Sequence, residues 1–533
     1  MFAVALAARL PHLGHVPHKD ELNHVLAARA LLDTGTLAIV PDGEPYSRAW
    51  GFTYLIAGLF RMAGESLVVA RIPSVLAGSA LVLLLFLWVR SEAGRVGAWV
   101  AALLLAFVPI SLQLSQWARF YTLHALLLFA ACLVIYRLLY SFPSAWRRTA
   151  ARAALAAALI WTAWHLQPIT VIGAGGLALW LILVAPGRLS RAVPANGLRV
   201  LAAAVVVGVM LAAALAFSGR GQWLLEMSTY TPLWAESRAD DVRYYHQLFL
   251  HRYGVLWALF PLSALLAVAA RPRPALMAVC VFGVVFVAHS FVAWKHERYL
   301  FYALPFFFAV WGIAVGSSLP WLMGRFRRLV RLGPGGRLPP AVQWLGVGLL
   351  LLGVVGFAAF TTPAVSYGYK MLTVSDAEWN LQWGAYRGEP NWEAAARELR
   401  PLIEGAEVVI GSYDVAAIHA MGRLDYLLRP VGGSDSRMPE FAMATKTRTP
   451  AISSPASLAA IMGCYRSGVV FVERGHWRNP SAAPPATADF LESAATPLPV
   501  PEHWRLVVLQ WDAPLPGASP ELCAGIPVAE MVD

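Results

Sequence analysis

The sequence predicts a polytopic α-helical membrane protein, about eleven transmembrane helices followed by a soluble α/β domain at the C-terminus. Three observations predict it. The 533 residues are 58% hydrophobic and 14% charged, with a mean hydropathy of +0.58. Apolar runs of about 17–20 residues recur over the first two thirds, each long enough to cross a hydrocarbon core of roughly 30 Å. The last third changes character, to short apolar strands between polar helices.

Spans are expected at 72–90, 97–113, 121–140, 150–166, 169–185, 200–217, 253–270, 275–293, 299–318 and 342–361. Met1–Leu10 is apolar but short. Arg9 and Pro11 stand where a signal peptide would carry small residues, so it reads as a shortened first span or one whose start lies upstream. Trp50–Gly64 is interrupted by Arg61 and reads as interfacial. Alternate loops between the spans hold fifteen arginines (90, 95, 147, 148, 152, 188, 191, 199, 271, 273, 325, 327, 328, 331 and 337) against one acid, Glu92. The positive-inside rule places these loops in the cytoplasm. The opposite loops are balanced, five Lys/Arg against six Asp/Glu over 11–71 and four against four over 218–252. The net charge of +11 therefore reports topology, and no basic-aromatic module points to nucleic acid.

The tail divides the chain into a membrane part, 1–361, and an external α/β domain, 362–533. "NWEAAARELRPLIEGA" (391–406) and 453–463 read as helices, and "EVVIGSY" (407–413), "GVVFVE" (468–473) and "WRLVVLQW" (504–511) as strands. Residues 480–500 read as Pro/Ala-rich linker. No Gly-rich dinucleotide signature follows a strand. Cys132 and Cys280 fall in spans. Cys464 and Cys523 either pair in an oxidising compartment or stay as buried thiols.

All clusters mixing acids, histidines and aromatics fall on the external face. "HKDELNHVLAARALLDTG" (18–35) reads as a helix capped by Asp20, with Leu22, Val25, Leu26 and Arg29 on one face, lying along the membrane surface. A capping carboxylate is held rigidly, which also suits a general base. "WKHER" (294–298) gathers Lys295, His296 and Arg298 at the mouth of a span. Such cations either snorkel or hold a lipid-linked phosphate. Only four of the 42 basic residues are lysines, and Lys19 and Lys295 lie in these two clusters. "SQWARFYTLH" (115–124) puts Arg119 and Tyr121 where a span enters the membrane, a position that also suits simple aromatic anchoring. The loop 224–251 offers Glu226, Glu236, Asp240, Asp241, His246 and His251. Their spacing matches no metal signature, and a divalent cation stays open as a cofactor.

The order of these features, with "GESLVVARIPSVLAG" (64–78), "ARFYTLHALLLF" (118–129) and "ERYLFYALP" (297–305), resembles the polytopic GT-C glycosyltransferases of the protein O-mannosyltransferase and lipid A aminoarabinose transferase group, over roughly residues 1–320. The resemblance implies inverting transfer of a sugar from a polyprenyl-phosphate donor to a glycan, lipid or protein acceptor. It makes Asp20 the catalytic carboxylate, with Glu21 completing an acidic pair. Arg48 stands where many relatives carry an acidic-Lys-Pro-Pro stretch and is expected as a phosphate contact. Arg119 and Tyr121 match the R-x-Y element beside the cavity, and Lys295, His296, Arg298 and Tyr299 the segment near the lipid phosphate. The tail lacks the β-trefoil insertion of eukaryotic protein mannosyltransferases. The Ala/Leu/Arg-rich composition suits a GC-rich bacterial genome, so the expected location is a bacterial inner membrane with its site on the periplasmic side. The competing class is a transporter or flippase. Its functional charges and helix breaks would lie within the spans, which here are largely uncharged.

Overall fold

The computed structural model describes residues 1–140, 146–192, 239–329, 389–429, 441–479, 483–516 and 520–527, with a few isolated positions between 346 and 374. The chain forms two compact units. One comprises residues 1–11, 73–116 and 120–373; the other comprises residues 12–72, 117–119 and 374–533. The expected division at 361 follows the linear order of the chain. The compact unit that holds the tail also takes in the external segment 12–72 and the short loop 117–119.

The first unit is helical. Among the described residues four helices are long and apolar enough to cross a membrane: Leu67–Phe107, Tyr121–Tyr140, Pro272–Phe291 and Glu297–Ser318. A fifth forms if Tyr244–Ala258 and Phe260–Ala270, bent by 46°, count as one span. The spans expected at 72–90 and 97–113 join into one helical run that breaks at Gly94, so the arginine-bearing connection between them is reduced to a kink. That run crosses the Leu304–Leu329 helix backbone to backbone. A Cβ on Gly97 would collide with the Gly312 carbonyl oxygen, and one on Gly316 with that of Ala93. Small residues at such crossings let membrane helices approach closely. Helices Trp146–Leu166 and Thr170–Ala192 occupy the expected spans 150–166 and 169–185. The spans expected at 200–217 and 342–361 lie outside the described residues, apart from isolated positions.

The second unit is built on a six-stranded sheet: β1 (Val408–Gly411), β2 (Tyr426–Leu428), β3 (Ala451–Ile452), β4 (Gly468–Glu473), β5 (Thr496–Leu498) and β6 (Leu506–Trp511), in the order β3-β2-β1-β4-β6-β5. β3, β2, β1 and β4 run parallel, and β6 and β5 are antiparallel additions. β1 and β4 are buried along their whole length, which explains their unbroken apolar sequence. Successive residues divide between two cores. Val408, Ile410, Val470 and Val472 face Leu458, Ile461 and Leu491 of the helices Pro455–Cys464 and Pro485–Ala494. Val409, Val469 and Phe471 face Trp392, Val415 and Ala417.

Leu22 and Leu26 belong to this second core. The Lys19–Thr34 helix therefore packs its apolar face into the core formed with the helices that cover the sheet, Asp414–Met421 among them, which corrects the expectation that this face lies on the membrane. Arg29 leaves that face to pair with Glu65. Helix 391–406 is two helices, Trp392–Glu398 and Arg400–Gly405, because Pro401 opens the second. Residues 480–500, expected as linker, contain the Pro485–Ala494 helix and β5. Cys464 and Cys523 form a disulfide that ties the Pro455–Cys464 helix to Pro520–Ala524.

Candidate active site

Asp20 is the second residue of the Lys19–Thr34 helix; the cap is His18, not Asp20. The His18 Nδ1 accepts the Asp20 N–H at 3.0 Å, and the His18 N–H donates to Glu21 Oε1 at 2.7 Å. This reciprocal capping fixes the first turn. The Asp20 side chain keeps 28% of its surface exposed, and its Oδ2 lies 4.0 Å from His18 Nδ1. The His18 ring stacks on Trp117 with centroids 4.0 Å apart.

The acidic pair expected at 20 and 21 separates into two roles. Glu21 is fully buried. Arg71, also fully buried, donates to both of its oxygens at 2.7 and 3.0 Å, and the Ala118 N–H adds a fourth hydrogen bond at 2.8 Å. Arg71 Nη1 in turn donates to the carbonyls of Leu13 (2.6 Å) and His15 (2.9 Å). Every face of the Glu21 carboxylate is taken by these four donors. Consecutive helix residues point in different directions, so Asp20 and Glu21 do not share a face. Glu21 holds the turn; Asp20 is the carboxylate left accessible.

Two cations act near Asp20, Arg119 on its backbone and Lys446 through its charge. Arg119, 2% exposed, donates through Nη1 to the Asp20 carbonyl and the Tyr46 hydroxyl, both at 2.8 Å. Tyr46 is the edge partner of the buried His24 ring, whose Nδ1 meets Thr53 Oγ1 at 2.8 Å. Burial, reinforced by the charges of Arg119 and Arg48, drives the His24 imidazole well below its ordinary range, so it is neutral. Arg48 is half-buried and within electrostatic reach of His24 and Lys446. Lys446, from the C-terminal sheet unit, was missed in the sequence. Its signal was available: it is one of only four lysines in the chain.

The remaining candidates lie in the helical unit. Tyr121 is buried at the start of the Tyr121–Tyr140 helix. Lys295 is buried, its ammonium donating to the carbonyls of Ala239 and Val292. Burial lowers its pKa, with Asp241 and Asp240 opposing. His296 caps the short Glu297–Leu300 helix through Nδ1, and its backbone N–H and carbonyl both bond the Tyr245 hydroxyl at 3.1 Å. The Arg298 guanidinium lies 5.5 Å from the centroid of the buried Tyr299 ring. Lys295 and His296 are thus anchored to backbone, and Arg298 is the cation of this segment held by a ring face. Asp240 and Asp241 of the 224–251 loop are described, while 224–238 lie outside the described residues. Among the described residues no group of three or more His, Cys, Asp or Glu gathers as a metal site.

Glu389, which no sequence motif marks, places its Oε1 3.6 Å from His18 Nε2. Burial pushes its carboxyl up to about 8 against the pull of Lys19, with Glu473, Asp20 and Glu21 adding to the rise. Between its ordinary 4.5 and about 8 the native chain keeps a proton that the unfolded chain has lost. Stability therefore falls as pH rises through that window. Glu389→Gln is expected to flatten the fall, read as a smaller difference in melting temperature between pH 5 and pH 8.5 than in the parent.

No protein-family model matches the sequence, and no curated protein matches it significantly. Solved structures do. ArnT from Cupriavidus metallidurans bound to undecaprenyl phosphate superposes with a TM-score of 0.57 at 17% identity, over 95% of this chain and 96% of that one. The apo state of the same protein gives 0.57 at 18% identity with the same coverage. An Archaeoglobus fulgidus oligosaccharyltransferase, in complex with zinc and sulfate, gives 0.53 at 14% identity over 93% of this chain and 70% of that one. The chain has the GT-C membrane fold that its sequence resemblance implied.

Proposed function

We propose that the chain is an inverting glycosyltransferase that moves a sugar from a polyprenyl-phosphate donor to a glycan, lipid or protein acceptor on the periplasmic side of a bacterial inner membrane. The observation that carries this reading is the Asp20 carboxylate. It is accessible, with Lys446 in electrostatic reach and Arg119 on its backbone carbonyl, and it sits on a turn whose neighbouring acid is fully engaged, in a chain with the fold of ArnT. The similar ArnT structure holds undecaprenyl phosphate.

In the proposed step Asp20 takes the proton of an acceptor hydroxyl or amine as that atom bonds to the anomeric carbon from the face opposite the phosphate. The bond between anomeric carbon and phosphate oxygen breaks, and its electron pair leaves with the polyprenyl phosphate. The sugar is inverted and Asp20 holds the proton until solvent removes it. The donor brings its own leaving group, so no nucleotide site is needed. Arg48 and Arg119 stabilise negative charge beside Asp20. Lys295, His296, Arg298, Tyr299 and Tyr121 are the candidates that the resemblance assigns to the donor. The arginine bias of the opposite loops supports the orientation, and the Cys464–Cys523 disulfide suits an oxidising compartment.

Purified protein in lipid nanodiscs, given radiolabelled polyprenyl-phosphate sugars and a panel of glycan, lipid and protein acceptors, is expected to release free polyprenyl phosphate and labelled acceptor. A chain that consumes no donor with any acceptor, yet moves the intact lipid-linked sugar across proteoliposomes, would be a transporter instead.

A further inference from the structure

The loop Met443–Pro450 carries Lys446 from the sheet to the first turns of the Lys19–Thr34 helix. The loop is closed by a bridge between its two ends and by the Ala444 N–H bonding the Thr449 carbonyl at 2.9 Å. Lys446 Nζ donates to Asn23 Oδ1 at 3.0 Å. The Asn23 amide reaches back to the carbonyls of Lys19 (3.4 Å) and Asp20 (3.5 Å). The same ammonium lies 5.3 Å from the centroid of Tyr46, whose hydroxyl takes the Arg119 hydrogen bond. The loop itself is clamped. Glu44 N–H donates to the Thr445 carbonyl at 2.8 Å, and Thr447 Oγ1 to Asp414 Oδ2 at 2.8 Å. Gly43 has no room for a side chain, since a Cβ there would stand 2.6 Å from the Lys446 carbonyl oxygen.

We infer that Lys446 is a positioning residue for Asp20: through Asn23 it braces the turn that carries the carboxylate, and its charge keeps that carboxylate ionised for the incoming acceptor. The inference rests on Asp20 being the base. It makes the C-terminal unit part of the catalytic machinery and not an appended module. The groups facing Asp20 decide the sign. His24 is neutral through burial, and Glu389, raised to about 8, is mostly protonated at pH 7. Tyr413 is pushed well above its ordinary value by burial. His18 accepts the Asp20 N–H on Nδ1 and so carries its proton on Nε2. The charges of this neighbourhood are mixed: Lys446, Arg119, Arg48, Lys19 and Arg429 are positive and Asp414, Glu473 and Glu21 negative, and Lys446 is a cation coupled directly to Asp20. Lys446 feels Asp20 in return, with Asp414 and Asp20 opposing the burial that weakens its ammonium.

The test follows protonation of Asp20 itself. A carbodiimide reacts with protonated carboxyl groups, and trapping with an amine marks Asp20 for peptide mass analysis on the full chain in detergent. Asp20→Asn supplies the blank. Lys446→Met is expected to raise the pH midpoint of Asp20 labelling by roughly half a unit, and Lys446→Arg to restore it. Lys446→Gln keeps a hydrogen-bond donor without the charge and serves if the Met variant does not fold. In the transfer assay the acidic limb of the kcat/KM profile should move up by the same amount, with donor KM changed by less than about threefold. An unshifted labelling midpoint in a folded charge-removing variant overturns the inference, whether or not the chain transfers sugar. A shifted midpoint in a chain with no transfer activity leaves the coupling intact and removes the glycosyltransferase reading instead.

Discussion

Asp20→Asn is expected to lower the turnover of sugar transfer by roughly 10²–10⁴-fold, with donor binding held within a few-fold. The amide has the shape of the carboxylate and cannot take a proton at neutral pH. The substitution also leaves the local frame alone. The cap is made by His18 and Glu21, and the backbone N–H and carbonyl of Asp20, which His18 and Arg119 bond, are kept. A melting temperature close to the parent's is therefore part of the expected result, and it separates loss of the base from loss of the turn. The measurement is single-turnover transfer from a saturating radiolabelled polyprenyl-phosphate sugar, alongside donor binding. Transfer within threefold of the parent would remove Asp20 as the base. The accessible group would then be an electrostatic neighbour of the substrate, and the acceptor's proton would leave by another route.

Much of this architecture was legible in the sequence, for physical reasons that also explain the misses. Hydropathy read the helical part because a bilayer imposes long apolar helices. β1, β4 and β6 were legible because strands buried on two faces need continuous apolar runs. β2, β3 and β5 are two or three residues long and carry no period to detect. The amphipathic stripe of Leu22 and Leu26 was read correctly as an apolar face, but sequence does not say what covers it. A membrane and a protein core ask for the same side chains, and here the core of the C-terminal domain takes them.

At the candidate site, Asp20 and Arg119 stood out because they concentrate charge or hydrogen-bonding capacity in a greasy chain. Glu21 was misplaced although helix geometry argued against it, since adjacent helical residues do not face one way. Its partner Arg71 lies 50 residues away, at the head of what reads as a membrane span. Lys446 is 423 residues from Asn23, so no local pattern joins them. The loop that carries it is polar and irregular, and its meaning comes from the surface it touches.

The buried pair behind Asp20 supports the second large effect. Arg71→Met is expected to cost about 3–5 kcal/mol, enough to lower the melting temperature sharply and to reduce the yield of folded protein. The variant strands the Glu21 carboxylate in a fully buried site with two of its four hydrogen bonds gone. It also frees the carbonyls of Leu13 and His15 that Arg71 now holds. The second variant distinguishes these causes. Arg71→Met combined with Glu21→Gln removes the stranded charge while keeping an oxygen for the Ala118 N–H. If the uncompensated carboxylate is the dominant cost, the double variant recovers most of the lost stability, because replacing both members of a buried pair is far milder than replacing one. If it is no better than the single variant, the anchoring of residues 13–15 is what Arg71 chiefly supplies. In either case the Asp20 turn loses its backing. Activity measured at a temperature where the variants stay folded should then fall through misplacement of the base, with an acidic limb of the pH profile that is broadened but not abolished. That signature differs from Asp20→Asn, which removes the titrating group, and it divides the acidic pair into a carboxylate that reacts and one that holds it still.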